Sequence, residues 1–113
     1  MNASDAAVKY VPVCSADEVQ PGERILFEIN GNPIVLFNVG GQYYAIQDAC
    51  THDGSSLGDG DLEGHEIICP RHGARFDIRT GQALTLPAVT PAVTYPLRVV
   101  NGRIEIGILS KTV

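Results

Sequence analysis

Residues 50–72 read CTHDGSSLGDGDLEGHEIICPRH, a Cys-x-His at one end and a Cys-x-x-His at the other, with 16 residues between the two pairs. The chain has only three cysteines and three histidines, and these pairs use two of each. A Cys and a His one or two residues apart reach one small inorganic centre from a single loop, so two such loops supply four ligands. Two centres suit that set. One is a tetrahedral zinc ion held by two thiolates and two imidazoles; the other is a [2Fe-2S] cluster with both Cys on one iron and both His on the other. Zinc sites of the Cys2His2 kind usually keep Cys with Cys and His with His, each pair on its own element. Here each loop brings one of each, and two facing loops then bring like ligands together at the same iron. The arrangement favours iron.

The flanking sequence predicts short strands and tight turns. VKYVPV (8–13) and RILFEI (24–29) carry β-branched and aromatic residues, and SADE (15–18) has the Ser-x-x-Glu form of a capping box, enough for one helical turn. IVLFNV (34–39) follows NGN, and GG at 40–41 leads into QYYAIQ (42–47), which predicts two hairpins. The 16 residues between the two pairs, rich in Gly and Asp, are expected to be loop plus a strand around HEIIC (65–69). Beyond the motif, ARFDI (74–78), TYPLRVV (94–100) and RIEIGI (103–108) repeat the pattern, and Asn101-Gly102 is the strongest hairpin signal in the chain. No long stretch has helical periodicity, so the expected fold class is an all-β sandwich or small barrel.

Length and composition agree with one domain over residues 1–113: the chain is 44% hydrophobic and has no low-complexity tail. It has no run of 18 apolar residues, and MNASDAAVKY lacks the pattern of a signal peptide, so a soluble, cytoplasmic protein is expected. A net charge of −5 argues against nucleic acid and anionic membranes and for a basic protein partner. Asp48, Asp53, Asp59, Asp61, Glu63 and Glu66 form an acidic run without Lys or Arg between them. Such a run either simply faces water or steers a basic partner. An odd number of cysteines excludes complete internal pairing, and Cys14, after a strand-like run, reads as a small buried or half-buried apolar residue. His65 has no partner at ligand spacing and is expected on the surface. Gly54, Gly58, Gly60 and Gly73 are expected to let the loops turn tightly, and Pro70 to stiffen the second.

CTH at 50–52, CPRHGARFD at 69–77, TG at 80–81 and PA at 87–88 together resemble a Rieske-type [2Fe-2S] protein. The resemblance is close over the second half of the chain and rests on strand pattern in the first. It implies one [2Fe-2S] cluster per chain, with Cys50 and Cys69 on the inner iron and His52 and His72 on the outer iron near the surface. It also implies a three-sheet antiparallel β fold whose small cluster-binding subdomain, about 48–84, stands at one tip.

Departures within the family narrow the expectation. The high-potential members of cytochrome bc complexes have a disulfide where this chain has Ser55 and Arg71, and hydroxyl donors where it has Ala74 and Phe76. Losing those donors destabilises the reduced state, so the expected potential lies near the low end of the family window, about −150 mV. The chain is therefore similar to the soluble Rieske ferredoxins. That resemblance implies a one-electron, non-catalytic carrier between an NADH-dependent flavoprotein reductase and the terminal oxygenase of an aromatic-ring dioxygenase. Transient docking and a monomer are expected, with transfer through the His52 and His72 edge and apolar contact from Leu57, Pro87 and Ala88. The alternatives are a small Rieske-like subunit of a larger reductase, such as assimilatory nitrite reductase, and a structural zinc domain.

Overall fold

The run IVLF at 34–37 lacks the polar alternation of a half-exposed strand, which calls for burial on both faces. In the computed structural model, which describes residues 8–109, this run lies in β3 (Asn32–Val39) and is buried throughout. The first seven residues, on which the reading of the chain start partly rests, fall outside the described residues. β3 is the second strand of a four-stranded antiparallel sheet, between β2 (Arg24–Ile29) and β4 (Gln42–Gln47), with β8 (Thr94–Tyr95) beyond β4. Ile34 and Leu36 pack with Val19, Ala45, Ile104 and Ile106 on one side. Val35 and Phe37 pack with Ile46, Leu57, Ile67 and Phe76 on the other. Full burial of one such side chain stabilises by about 1.5–3 kcal/mol, so this strand fastens two layers at once.

The first layer is a sheet of β1 (Val8–Ser15), β10 (Arg103–Leu109) and β9 (Leu97–Val100), with β10 in the middle. The second holds β5 (Asp61–Glu63), β6 (Glu66–Ile68) and β7 (Arg75–Asp77). All pairings within the three sheets are antiparallel, in agreement with the expected all-β class. The capping box read in SADE precedes a short 3-10 turn over Ala16–Glu18, where the Ser15 backbone N–H donates to Glu18 Oε1 at 2.9 Å. Among the described residues no helix is long and apolar enough to cross a membrane.

The three expected hairpins form, with Ile29 opposite Asn32, Val39 opposite Gln42 and Val100 opposite Arg103. Asn101 and Gly102 have φ of 52° and 76°, the paired positive angles of a type I′ turn. Two readings need correction. TYPLRVV is two strands in different sheets, because Pro96 has no N–H for a ladder and the chain changes layers there. The short strand β5 lies where loop is expected; its residues DLE are too few and too acidic for a periodic signal, and its pairing with β6 defines it.

Gly60 sets how closely the loop before β5 approaches β6. A Cβ there would run into the Ile68 carbonyl oxygen, a backbone atom that cannot swing aside. Arg24 holds the same loop from the neighbouring sheet: its Nη1 donates to the Gly58 carbonyl at 3.0 Å and to the Gly60 carbonyl at 2.6 Å. Gly60→Ala is therefore expected to destabilise the fold by about 1–3 kcal/mol, toward the upper end because the obstacle is main chain. Denaturant midpoints of the parent and variant proteins check this.

Candidate functional site

The two ligand-type pairs lie on turns with the same hydrogen bonds. In the first, the Cys50 N–H donates to the Ser55 carbonyl (2.7 Å) and the Gly54 N–H to the Cys50 carbonyl (2.7 Å). In the second, the Cys69 N–H donates to the Ala74 carbonyl (2.8 Å) and the Gly73 N–H to the Cys69 carbonyl (3.0 Å). Each turn closes at a glycine in the left-handed region, φ 79° at Gly54 and 75° at Gly73, which other residues adopt only with strain. The spacing difference seen in the sequence thus disappears in the backbone. One turn carries its histidine two residues after the cysteine and the other three.

This geometry sorts the donors. Cys50 and Cys69 are buried among Phe37, Ile67, Ala74 and Phe76, and their sulfurs lie within 4.8 Å of each other. His52 and His72 are exposed, with ligating nitrogens within 4.8 Å, ring centroids 5.4 Å apart and ring planes at 86°. Among the described residues no thiol and imidazole fall together in one such group. A single tetrahedral zinc, with bonds of about 2.0–2.3 Å, would draw all four donors within about 4 Å of one another. Two separate pairs fit a centre with two metal positions. Burial pushes the Cys50 thiol up, the backbone N–H groups of His52 and Asp53 pull it down, and the adjacent Cys69 thiol raises it. Ligation requires thiolates, so binding here releases protons and uses those same N–H groups to hold sulfur charge.

The acidic run does not act as one surface. Asp48 is buried; it accepts the Ser56 hydroxyl at 2.9 Å and the Gly58 N–H at 2.6 Å, and so fixes the loop that follows the first turn. Glu63 and Glu66 both meet the Arg75 guanidinium, at 2.9 and 3.3 Å. Asp53 has its Oδ1 on the Ser55 N–H at 3.0 Å, and that bond holds its carboxyl below the usual range. Asp59 and Asp61 remain exposed and line a small surface cleft of about 350 Å³ that also touches Pro70 and Gly73.

Other expectations are revised by packing. Leu57 is fully buried and Ala88 is 4% exposed, so neither presents apolar surface at the tip. Leu86 and Val89, each 77% exposed, do so instead. Their segment is fastened to the first turn by the Thr51 hydroxyl, which donates to the Thr90 carbonyl at 2.6 Å. The sequence signal was there in part: residues 82–97, QALTLPAVTPAVTYPL, contain no charge at all. His65 is half-buried, edge-on to Tyr44 with centroids 5.5 Å apart, rather than a plain surface residue. Cys14 is half-buried as expected, and burial raises its thiol pKa, which suits an inert packing role.

Comparison with known proteins gives this architecture its family. Residues 9–96 match the Rieske [2Fe-2S] domain, and the chain belongs to that family. It is 44% identical over 95 residues to the 3-phenylpropionate/cinnamic acid dioxygenase ferredoxin subunit of Escherichia coli (strain K12), covering 82% of this chain and 88% of that one. It is 38% identical over 95 residues to the ferredoxin component of the naphthalene 1,2-dioxygenase/salicylate 5-hydroxylase systems of Ralstonia sp., covering 84% and 91%. Among solved structures, a chain in the complex of reduced oxygenase and oxidized ferredoxin in carbazole 1,9a-dioxygenase superposes with a TM-score of 0.83. Its identity is 33%, over 92% of this chain and 97% of that chain.

Asp48→Ala is expected to leave the Gly58 N–H and the Ser56 hydroxyl without their acceptor. The cost is about 1–3 kcal/mol. Thermal unfolding measures that loss, and the variant should lose its [2Fe-2S] cluster faster than the parent in a chelator challenge followed by colour.

Proposed function

We propose that Cys50 and Cys69 bind the inner iron and His52 and His72 the outer iron of one [2Fe-2S] cluster. In this reading the chain is a one-electron carrier serving the terminal oxygenase of an aromatic-ring dioxygenase system, with an NADH-dependent flavoprotein reductase as its electron source. The observation that carries the assignment is the sorting of donors, two buried sulfurs in one pair and two exposed imidazoles in the other. When bound, the cluster supplies a one-electron couple whose potential two neutral imidazoles raise above that of an all-Cys cluster. The chain's own contribution is to keep the sulfurs dry and the His52 and His72 edge in contact with the partner.

Several features support a carrier rather than a subunit of a larger reductase. The relatives are named as ferredoxin components of dioxygenase systems, and one structural neighbour is a complex of oxygenase with ferredoxin. The reading takes residues 1–113 as one domain with a cluster-binding subdomain at about 48–84, working as a cytoplasmic monomer that docks and releases. Docking then has two flanks around the imidazole edge. Leu86 and Val89 offer an apolar ledge on the Thr51 side, and Asp59 and Asp61 offer negative charge on the Pro70 side. Because Asp48, Glu63 and Glu66 are engaged within the fold, electrostatic steering is weaker than six acids would give.

Two measurements test this. Purified protein should be coloured, give a rhombic EPR signal on reduction and titrate at about −150 mV, because the buried Ala74 and Phe76 bring no hydroxyl to the site. Cys69→Ala should be colourless, and a strongly positive midpoint or a colourless parent would refute the assignment. Exchanging both Leu86 and Val89 for Ser should slow electron delivery to the oxygenase by about tenfold, equivalent to about 1.4 kcal/mol of docking energy. The midpoint should not move, and stopped-flow reduction of the partner reads the rate.

A further inference from the structure

Asp53 and Arg71 occupy the places in the two turns that the histidines leave free. Asp53 lies three residues after Cys50, where the second turn has His72; Arg71 lies two residues after Cys69, where the first turn has His52. The Asp53 carboxylate is in both donor groups, within 4.8 Å of the two sulfurs and within 4.8 Å of the ligating nitrogens of the two imidazoles. Its Oδ2 is 3.7 Å from His72 Nε2, and its side chain is 21% exposed against 52% for His72. The Ser55 N–H donates to the other oxygen at 3.0 Å and so orients the carboxylate within its turn. It is the one carboxylate among the described residues that joins both donor pairs.

We propose that Asp53 sets the reduction potential of this protein, holding it below the value that its four ligands alone would give. The proposal rests on the ligand assignment made above. Reduction adds one negative charge to the centre, and a fixed carboxylate a few ångströms away opposes that charge. Water reaches the tip and screens the effect, so its size is modest. Arg71 acts in the opposite sense; both residues are exposed, but the Asp53 carboxylate lies within 4.8 Å of both donor pairs and its side chain is only 21% exposed. The negative partner therefore prevails. In a carrier, this positions the driving force for handing an electron on, without any change of ligand.

Three variants separate charge from turn structure. Asp53→Asn keeps a side-chain oxygen for the Ser55 N–H and removes the charge; Asp53→Glu keeps the charge and disturbs the turn. Redox titration of the purified cluster-containing proteins should raise the Asp53→Asn midpoint by about 40 mV, which is a fivefold change in the ratio of oxidised to reduced protein at 59 mV per tenfold for one electron. Asp53→Glu should stay near the parent, and Arg71→Gln should fall by less than Asp53→Asn rises. An unchanged or lower Asp53→Asn midpoint, with the reduced EPR signal intact, overturns the proposal. So does an equal shift in the Asn and Glu variants, which would assign the effect to the turn. A parent protein that binds no iron and sulfide removes the ligand assignment itself, and this proposal with it.

Discussion

The tip of this protein must keep two sulfurs dry and two imidazoles wet within a few ångströms. Sulfur charge inside an apolar core is costly unless backbone N–H groups face it, and the His52 and Asp53 amides do so at Cys50. The paired turns meet this constraint by sending each cysteine inward, onto Phe37, Ile67 and Phe76, while the rest of the turn stays at the surface. A Cys and a His only two or three residues apart can be separated in this way only by a sharp reversal. Gly54 and Gly73 supply it.

That requirement explains why the core continues into the tip. Val35 and Phe37 of β3 reach from the four-stranded sheet into the same cluster of side chains as both cysteines, so the site is continuous with the main fold. Arg24 and Asp48 add polar fastening. One holds the Gly58 and Gly60 carbonyls; the other holds the Gly58 N–H and the Ser56 hydroxyl. Ionic bonds to backbone groups are stronger than neutral ones, and they order a loop that has little regular structure. A stiff tip is useful to a carrier, because groups that are already in place need little rearrangement when charge arrives.

Charge around the tip is divided by role. Asp48 serves the loop, Glu63 and Glu66 serve Arg75, and Asp53 stands by the ligand pairs. In the docking proposed above, the groups left for a partner include the imidazole edge, the Leu86 and Val89 ledge and two exposed aspartates. Apolar contact of that extent suits brief docking, since a large buried interface would slow release.

Much of this was legible in the residues. The mixed Cys and His pairs give the chemistry, the Asn101-Gly102 pair and its counterparts give the hairpins, and the short strand-like runs without helical periodicity give the all-β class. Those signals are local, arising from spacing, turn chemistry and pattern within a few residues. Other features depended on what lies opposite in space. Nothing near Asp48 in sequence distinguishes it from Asp59, yet one is buried against Gly58 and the other faces water. Leu57 and Leu86 are equally apolar; packing hides the first and leaves the second at the tip. Spacing along the chain marks Cys50, His52, Cys69 and His72 as candidate donors, whereas packing sets which charges and apolar groups surround them. Burial and pairing are properties of the assembled layers, and no short stretch of chain contains them.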